Sequence, residues 1–188
     1  IYGAPERLPA NEDTPPDPRS FYAAGKVAAE AYVRLHRGLG VDGTILRMPN
    51  VYGPGQNLAN MQQGMISIYL AYMLRGEPIL VKGGLDRVRD FVCIDDVVDA
   101  WLLALDHDGP GRTYNVGCGE SRTVADVIEA LRAAWGDPDY PVQVADGTPG
   151  DQTAMRLDIS RIRNVLGFTP KVDLIDRKST RLNSSHYS

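Results

Sequence analysis

Cysteine is scarce in this sequence. Cys93 and Cys118 are the only two in 188 residues, and they fit no metal-ligand spacing. A small disulfide scaffold is excluded, and the pair reads as free thiols in a reducing compartment, as expected of a cytoplasmic protein. Long apolar runs are lacking too. None nears the ~20 residues needed to span a bilayer. No basic excess exists either. The formal charge is −4 and the pI about 5.3, which argues against a nucleic-acid partner. Repeats and low-complexity runs are absent. What remains is 43% hydrophobic and 23% charged residues. That balance is too apolar for a disordered chain and sufficient for a sizeable core.

Both ends are unusual. The chain opens at Ile1 rather than Met, inside a motif described below. At the other end, Asp176–His186 reads DRKSTRLNSSH. That string resembles translated read-through of a common sequencing adapter, with Tyr187 and Ser188 where an index would begin. The stretch 176–188 is expected to be non-native and is set aside, the alternative being a natural disordered tail. Its Arg177, Lys178 and Arg181 against Asp176 carry +2, so the remainder stands at −6 against −4 for the whole.

Turn residues divide the rest. Ser20 can cap a helix from Phe21 to Leu39, closed by Gly40. Thr44–Met48 reads as a buried strand ended by Pro49, and 51–60 as loop. Gln63–Leu74 is an apolar helix; Ile79–Lys82 and Asp90–Ile94 are strands. Asp95 opens a second apolar helix, its acids where the helix dipole favours them. Thr113–Val116 is a strand and Thr123 caps a helix to Trp135, ended by Gly136. Pro141–Val144 is a strand, and a last short helix stops at Gly167. Strands alternating with helices predict an α/β fold with a largely parallel sheet.

One spacing carries chemistry. Tyr22 and Lys26 are four apart on a predicted helix, so both side chains share a face, roughly 6 Å apart at Cβ. A tyrosine hydroxyl is a poor base near neutrality, and a neighbouring ammonium favours its phenolate. Such a pair can take a proton from a substrate hydroxyl as hydride leaves the same carbon. Alone, the pattern equally fits an exposed tyrosine beside a solvated lysine.

The flanks add further motifs in order. Ile1-Tyr2-Gly3 comes first, then Tyr22, Lys26 and Glu30, then Leu46-Arg47-Met48-Pro49-Asn50-Val51-Tyr52-Gly53-Pro54. Gly76-Glu77-Pro78-Ile79 and Arg89-Asp90-Phe91-Val92-Cys93-Ile94-Asp95-Asp96-Val97 follow. Tyr114-Asn115-Val116-Gly117, Pro149-Gly150-Asp151 and Leu166-Gly167-Phe168-Thr169-Pro170 complete the series. Over residues 1–174 this resembles the extended short-chain dehydrogenase/reductase superfamily, and within it the NAD-dependent nucleotide-sugar epimerase/dehydratase group.

The resemblance implies the C-terminal part of a Rossmann-like doubly wound parallel sheet plus a smaller α/β substrate-binding domain. Residues 1–60 would belong to the NAD-binding domain, 61–175 mainly to the substrate region, and 90–118 would return to the first sheet. Tyr22 matches the catalytic base and Lys26 its partner on the nicotinamide ribose. Pro49, Asn50 and Val51 match the rest of the nicotinamide side. The glycine-rich turn that cradles the cofactor's pyrophosphate is not in the sequence, so the chain is not expected to hold NAD alone. On the substrate side, Asn50 and Arg89 match residues that meet the diphosphate, with Asn115 a weaker candidate. The plainer readings are an Asn50 that satisfies loop backbone and an Arg89 paired with Asp90 or Asp95. Leu80 and Lys82 match the strand flanking the nucleotide base, and Asp151 an acid on the nucleotide ribose. In the uridine-sugar epimerases that last motif begins with Arg, where this chain has Thr148. Cys93 stands where an aromatic is usual and reads as a buried strand residue.

The implied reaction is NAD-dependent epimerisation at C4 of a nucleotide sugar, UDP-glucose to UDP-galactose or a close relative, through a transient 4-keto sugar. A homodimer is implied for the full-length parent, with no metal, membrane or nucleic acid. A 4,6-dehydratase or a decarboxylase on the same fold is the first alternative, since the acidic residues that mark them precede the Tyr2 motif. A noncatalytic nucleotide-sugar-binding protein is the second.

Overall fold

The computed structural model describes residues 1–107, 111–147 and 154–174. The elements are α1 (Phe21–Arg37), β1 (Ile45–Arg47), β2 (Asn50–Tyr52), α2 (Met65–Leu74), β3 (Ile79–Lys82) and β4 (Val88–Cys93). They continue with α3 (Ile94–Leu105), β5 (Thr113–Asn115), β6 (Ser121–Thr123), α4 (Val124–Trp135), β7 (Val142–Ala145) and α5 (Ser160–Leu166). The α/β expectation holds. β1 pairs with β5, β2 with β4 and β3 with β7, all parallel. β6 adds to the other edge of β4 in the antiparallel sense.

β4 is the dividing wall. Successive strand residues point to opposite faces, and Phe91 and Val92 go to different cores. Phe91 joins Tyr69 and Met73 of α2, Ile79 and Val81 of β3, and Val124, Val127, Ile128 and Leu131 of α4. Val92 joins Val97 and Ala100 of α3, Tyr114 of β5, and Ile162 and Leu166 of α5. The short apolar strands seen in the sequence are thus the spines of two cores back to back.

Two strands depart from the sequence reading. The loop expected at 51–60 begins as β2, because Asn50–Tyr52 lies along Phe91–Cys93 of β4. Pro49 ends β1 as expected, and the chain resumes pairing one residue later on a different partner. β6 reads Ser-Arg-Thr and gives no apolar alternation to find; it forms because Val88–Asp90 offers an open edge. Helix ends fared better. Ser20 caps α1, its hydroxyl accepting from the Ala23 N–H at 3.1 Å. α1 stops at Arg37 with Gly38 as cap, two residues before the expected end. Thr123 and Asp126 form a reciprocal capping box on α4, and Gly136 ends that helix at φ 83°. Gly53 is required by a close approach: a Cβ there would lie 2.5 Å from the Ile94 side chain.

α1 is held to the sheet unlike the other helices. Its one buried residue is charged, Glu30. Arg47 of β1 meets it with two parallel bonds, Nε to Oε1 at 2.8 Å and Nη2 to Oε2 at 2.8 Å. The remaining nitrogen, Nη1, donates to the Tyr2 hydroxyl at 2.8 Å and the Glu12 carbonyl at 3.2 Å. The Tyr2 hydroxyl in turn donates to Asn115 Oδ1 at 2.6 Å. Burial pushes the Glu30 carboxyl up, but hydrogen bonds and charge from Arg47 and Arg34 outweigh it and hold the group below its usual range.

Arg47→Met leaves the Glu30 carboxylate, 8% exposed, with only the half-exposed Arg34. Removing one partner of a buried pair costs about 3–5 kcal/mol, and the lower end is expected here. The pH dependence should reverse as well. In the wild type the pair's contribution is full above the unfolded carboxylate value of about 4.3 and is lost as pH falls through the lowered folded value. In Arg47→Met burial raises Glu30 instead, so acidification relieves the variant. Urea unfolding at pH 7, 5.5 and 4 measures both; a penalty independent of pH would remove Glu30 as its cause.

Candidate active site

Tyr22, Lys26 and Glu30 follow one another at four-residue steps, so they lie along one face of α1. Glu30 pins that face to β1, while Tyr22 and Lys26, two turns and one turn nearer the N-terminus, stand in the open. Tyr22 is 72% exposed. The Lys26 Nζ lies 5.3 Å from the centre of the Tyr22 ring, within reach of a cation–π contact. The spacing in sequence has become a real pair, with phenol and ammonium side by side on a helix whose other end is fixed.

The diphosphate candidates fall together on neighbouring strands. Asn50 opens β2 opposite Phe91, and its Nδ2 donates to the Asp90 carbonyl at 2.8 Å. Part of its amide therefore ties β2 to β4. Arg89 is two residues before Phe91 on β4, nearly buried, and its Nη1 donates to the Val88 carbonyl at 2.9 Å. Its cross-strand partner is Arg122, which pairs with Glu120 and Asp173. Asp90 points the other way. Its carboxylate accepts from the Ser121 hydroxyl and the Leu157 N–H, and burial still pushes it above its ordinary value. Pro49 and Val51 flank Asn50 at the mouth of the strands. Leu80 and Lys82 sit on β3 opposite Gln143 and Ala145 of β7, half-buried and exposed respectively. Thr148, Pro149, Gly150 and Asp151 lie outside the described residues, as does the stretch 175–188.

Asn115 requires correction. It is fully buried, and its amide is spent inside the protein: Oδ1 accepts from Tyr2, while Nδ2 donates to the Ala10 and Asp158 carbonyls at 2.9 and 3.1 Å. Its backbone N–H goes to Glu12 Oε1 at 2.7 Å. Nothing is left to face a phosphate. The sequence reading also passed over Arg47, although an arginine inside the apolar strand TILRM signals a buried partner. It assigned Asp96 to the helix dipole alone. Asp96 is buried and accepts the Lys171 and Val172 N–H groups at 2.9 and 3.1 Å, fastening the C-terminal segment to α3.

Among the described residues no group of three His, Cys, Asp or Glu could hold a metal ion, and no helix is long and apolar enough to cross a membrane. Burial raises both thiols, Cys93 and Cys118, above their ordinary value. Asn115→Leu strands the Tyr2 hydroxyl and two carbonyls at once, each worth about 1–3 kcal/mol. It should lower unfolding stability by several kcal/mol in total while any folded protein keeps its affinity for a nucleotide diphosphate. Calorimetric titration showing tenfold weaker binding at normal stability would return Asn115 to the binding site.

Comparison with known proteins bears on this arrangement. UDP-glucose 4-epimerase from Mycolicibacterium smegmatis is 38% identical over 177 residues, covering 94% of this chain and 56% of the relative. UDP-glucuronic acid decarboxylase 6 from Arabidopsis thaliana is 31% identical, covering 93% and 51%. The crystal structure of UDP-glucose 4-epimerase from Thermotoga maritima, with UDP-glucose, superposes with a TM-score of 0.85 at 35% identity, over 93% of this chain and 56% of that one. The chain thus spans about half the length of the curated relatives it matches. Its strands are those of a Rossmann-type sheet, as the resemblance implied. Residues 1–117, which hold the Tyr22–Lys26 helix and β4 alike, match the family model, and the chain belongs to the NAD dependent epimerase/dehydratase family.

Proposed function

We propose that this chain is the part of a nucleotide-sugar epimerase that carries the catalytic base, and that it works within a protein of its relatives' length. The Tyr22–Lys26 pair, assembled and open on one face of a pinned helix, is the observation that carries this reading. Tyr22 takes the proton from the sugar's 4-hydroxyl. Lys26, beside the Tyr22 ring, donates to ribose hydroxyls of the cofactor. Returning the proton from Tyr22 after the 4-keto sugar has turned over completes the inversion. Arg89 and Asn50 hold the diphosphate, a guanidinium being suited to bidentate phosphate recognition. Leu80 and Lys82 flank the base, and Asp151 contacts the ribose.

NAD fits one side of this site. Tyr22, Lys26 and the 49–51 segment offer a hydroxyl, an ammonium and an accessible strand end for the nicotinamide ribose. The sequence offers no glycine-rich turn for the pyrophosphate. NAD, when bound, supplies the hydride acceptor and donor at C4. A homodimer is proposed for the full-length protein.

In the full-length protein carrying this chain, Tyr22→Phe keeps the ring and loses the proton acceptor. Loss of a general base costs about 10²- to 10⁴-fold, and the double use of Tyr22 places the expected fall at the upper end, with substrate affinity close to normal. Lys26→Ala acts in the same direction, because the ammonium beside the Tyr22 ring is lost. Single-turnover absorbance of reduced cofactor measures both. If Tyr22→Phe reduced NAD at near wild-type rate, the epimerase mechanism would fall with the assignment. Chromatography of the products separates the readings: a C4 epimer supports this proposal, whereas loss of water or CO₂ selects the dehydratase or decarboxylase alternative.

Arg89→Ala removes a contact to a diphosphate that does not change during the reaction, so the loss is uniform binding. KM should rise with kcat nearly kept. A large fall in kcat at unchanged KM would place Arg89 at the reacting centre instead.

A further inference from the structure

We propose that Glu30 and Arg47 are positioning residues, a fork-on-fork clamp that sets the rotation and depth of α1 and thereby where Tyr22 and Lys26 stand. The inference rests on the proposed role of Tyr22 and deepens it. Among the described residues α1 buries no apolar side chain fully; Glu30 is its one buried residue. An apolar stripe resists separation but tolerates a helix sliding or rolling by a fraction of a turn. Two parallel bonds of 2.8 Å to a planar guanidinium do not, because either movement breaks one of them.

The clamp is itself fixed from three directions. Arg47 stacks over the Tyr2 ring, its Cζ 4.9 Å from the ring centre. Tyr2 is bonded to Asn115 of β5. The Glu12 carbonyl takes a second bond from Nη1, and the Glu12 carboxylate meets the Asn115 N–H and stands 3.5 Å from Arg161 Nε of α5. Arg34 closes the outer side of Glu30 at 3.1 Å. A second tether, Arg37 to the Gly43 carbonyl at 2.6 Å from Nη2, holds the far end of α1.

Lys26 is one turn and Tyr22 two turns from this anchor, about 6 and 12 Å along the helix axis. A small rotation at Glu30 is carried undiminished to both. Displacement of a catalytic group by about 1 Å can cost on the order of 10²-fold in rate. Replacing a buried ion pair by a hydrophobic pair of similar volume is often near neutral in stability, so the double replacement tests geometry with the loss confined to the bonds Arg47 makes to Tyr2 and the Glu12 carbonyl.

The test uses the full-length protein carrying this chain. Three variants are compared with wild type: Arg47→Lys, the double variant Glu30→Met with Arg47→Met, and Tyr22→Phe as reference. Steady-state kcat and KM, single-turnover cofactor reduction and Tm are read for each. The double variant should keep Tm within a few degrees, and both clamp variants should lose about 10- to 100-fold in kcat with KM within about twofold. Recovery of Tm without recovery of kcat separates positioning from a structural role. A double variant that folds normally with kcat within twofold of wild type overturns the proposal. Should it not fold, Arg47→Lys decides: it keeps the charge but lacks the fork, and wild-type kcat in that variant equally overturns it. Failure of the underlying reading has another signature. There Tyr22→Phe itself turns over at wild-type rate, whereas failure of the clamp alone leaves Tyr22→Phe dead and the clamp variants active.

Discussion

A guanidinium taken out of water must find acceptors for its donors, and Arg47 finds them on three other parts of the chain. Glu30 comes from α1, Tyr2 from the first residues, and the Glu12 carbonyl from the loop before the helix, while Arg47 itself is in β1. Tyr2 passes the link to Asn115 in β5. Each of these groups would be costly to bury alone. Together they are satisfied, and the satisfaction is collective, since removing any one leaves another stranded. The orientation of α1, and with it the phenol and ammonium at the far end, follows from this requirement more than from apolar packing.

The opposite half of the site follows from a different constraint. β4 serves two cores through the alternation of Phe91 and Val92, so it can neither shift nor roll without opening one of them. Asn50 and Arg89 are carried on this wall and its neighbour β2. Asp90, facing the other way, stitches β4 to Ser121 and to the Leu157 backbone. Of the groups proposed to hold a diphosphate, Arg89 is mounted on this strand and Asn50 on the neighbour paired with it. Those proposed for proton transfer are mounted on a helix pinned by charge. Binding and chemistry have separate mechanical supports.

Local signals were legible in the sequence wherever the cause was local. Ser20, the Thr123–Asp126 box and Gly136 mark helix ends because capping involves residues within one turn. The strand at Ile79–Lys82 was read to the residue because apolar β-branched and long side chains bounded by Pro78 and Gly83 leave little choice. β2 and β6 were missed because three-residue strands owe their existence to the edge of β4, which is distant in sequence. The Tyr22–Lys26 pair was legible as a spacing and through the motifs around it. Asn115 was not, because its neighbours suggest a loop end facing ligand, and only tertiary packing shows it closed in by Tyr2, Ala10 and Asp158. Arg47 lay in plain view among apolar neighbours, and its meaning depended on a partner seventeen residues away.

The groups proposed to react stand exposed. Proton and hydride transfer at a sugar carbon gain from a site that excludes water, where fixed charges act at low dielectric. Tyr22 is largely in solvent, and Phe21 beside it is wholly so. Phe21 is thus an apolar ring in solvent beside the proposed catalytic pair. Further apolar side chains stand open along α1, at Tyr32 and Leu35, and on α3, at Trp101, Leu102 and Leu105. Among the described residues lie the proposed base, the proposed cation beside it, the Glu30–Arg47 pair and the strands proposed to hold the diphosphate, while a dry enclosure around Tyr22 is not among them. That division agrees with a chain matching little more than half of its relatives' length. It also explains why the clamp matters. Among the described residues, the Glu30–Arg47 pair is the buried tie between the helix carrying Tyr22 and Lys26 and the sheet.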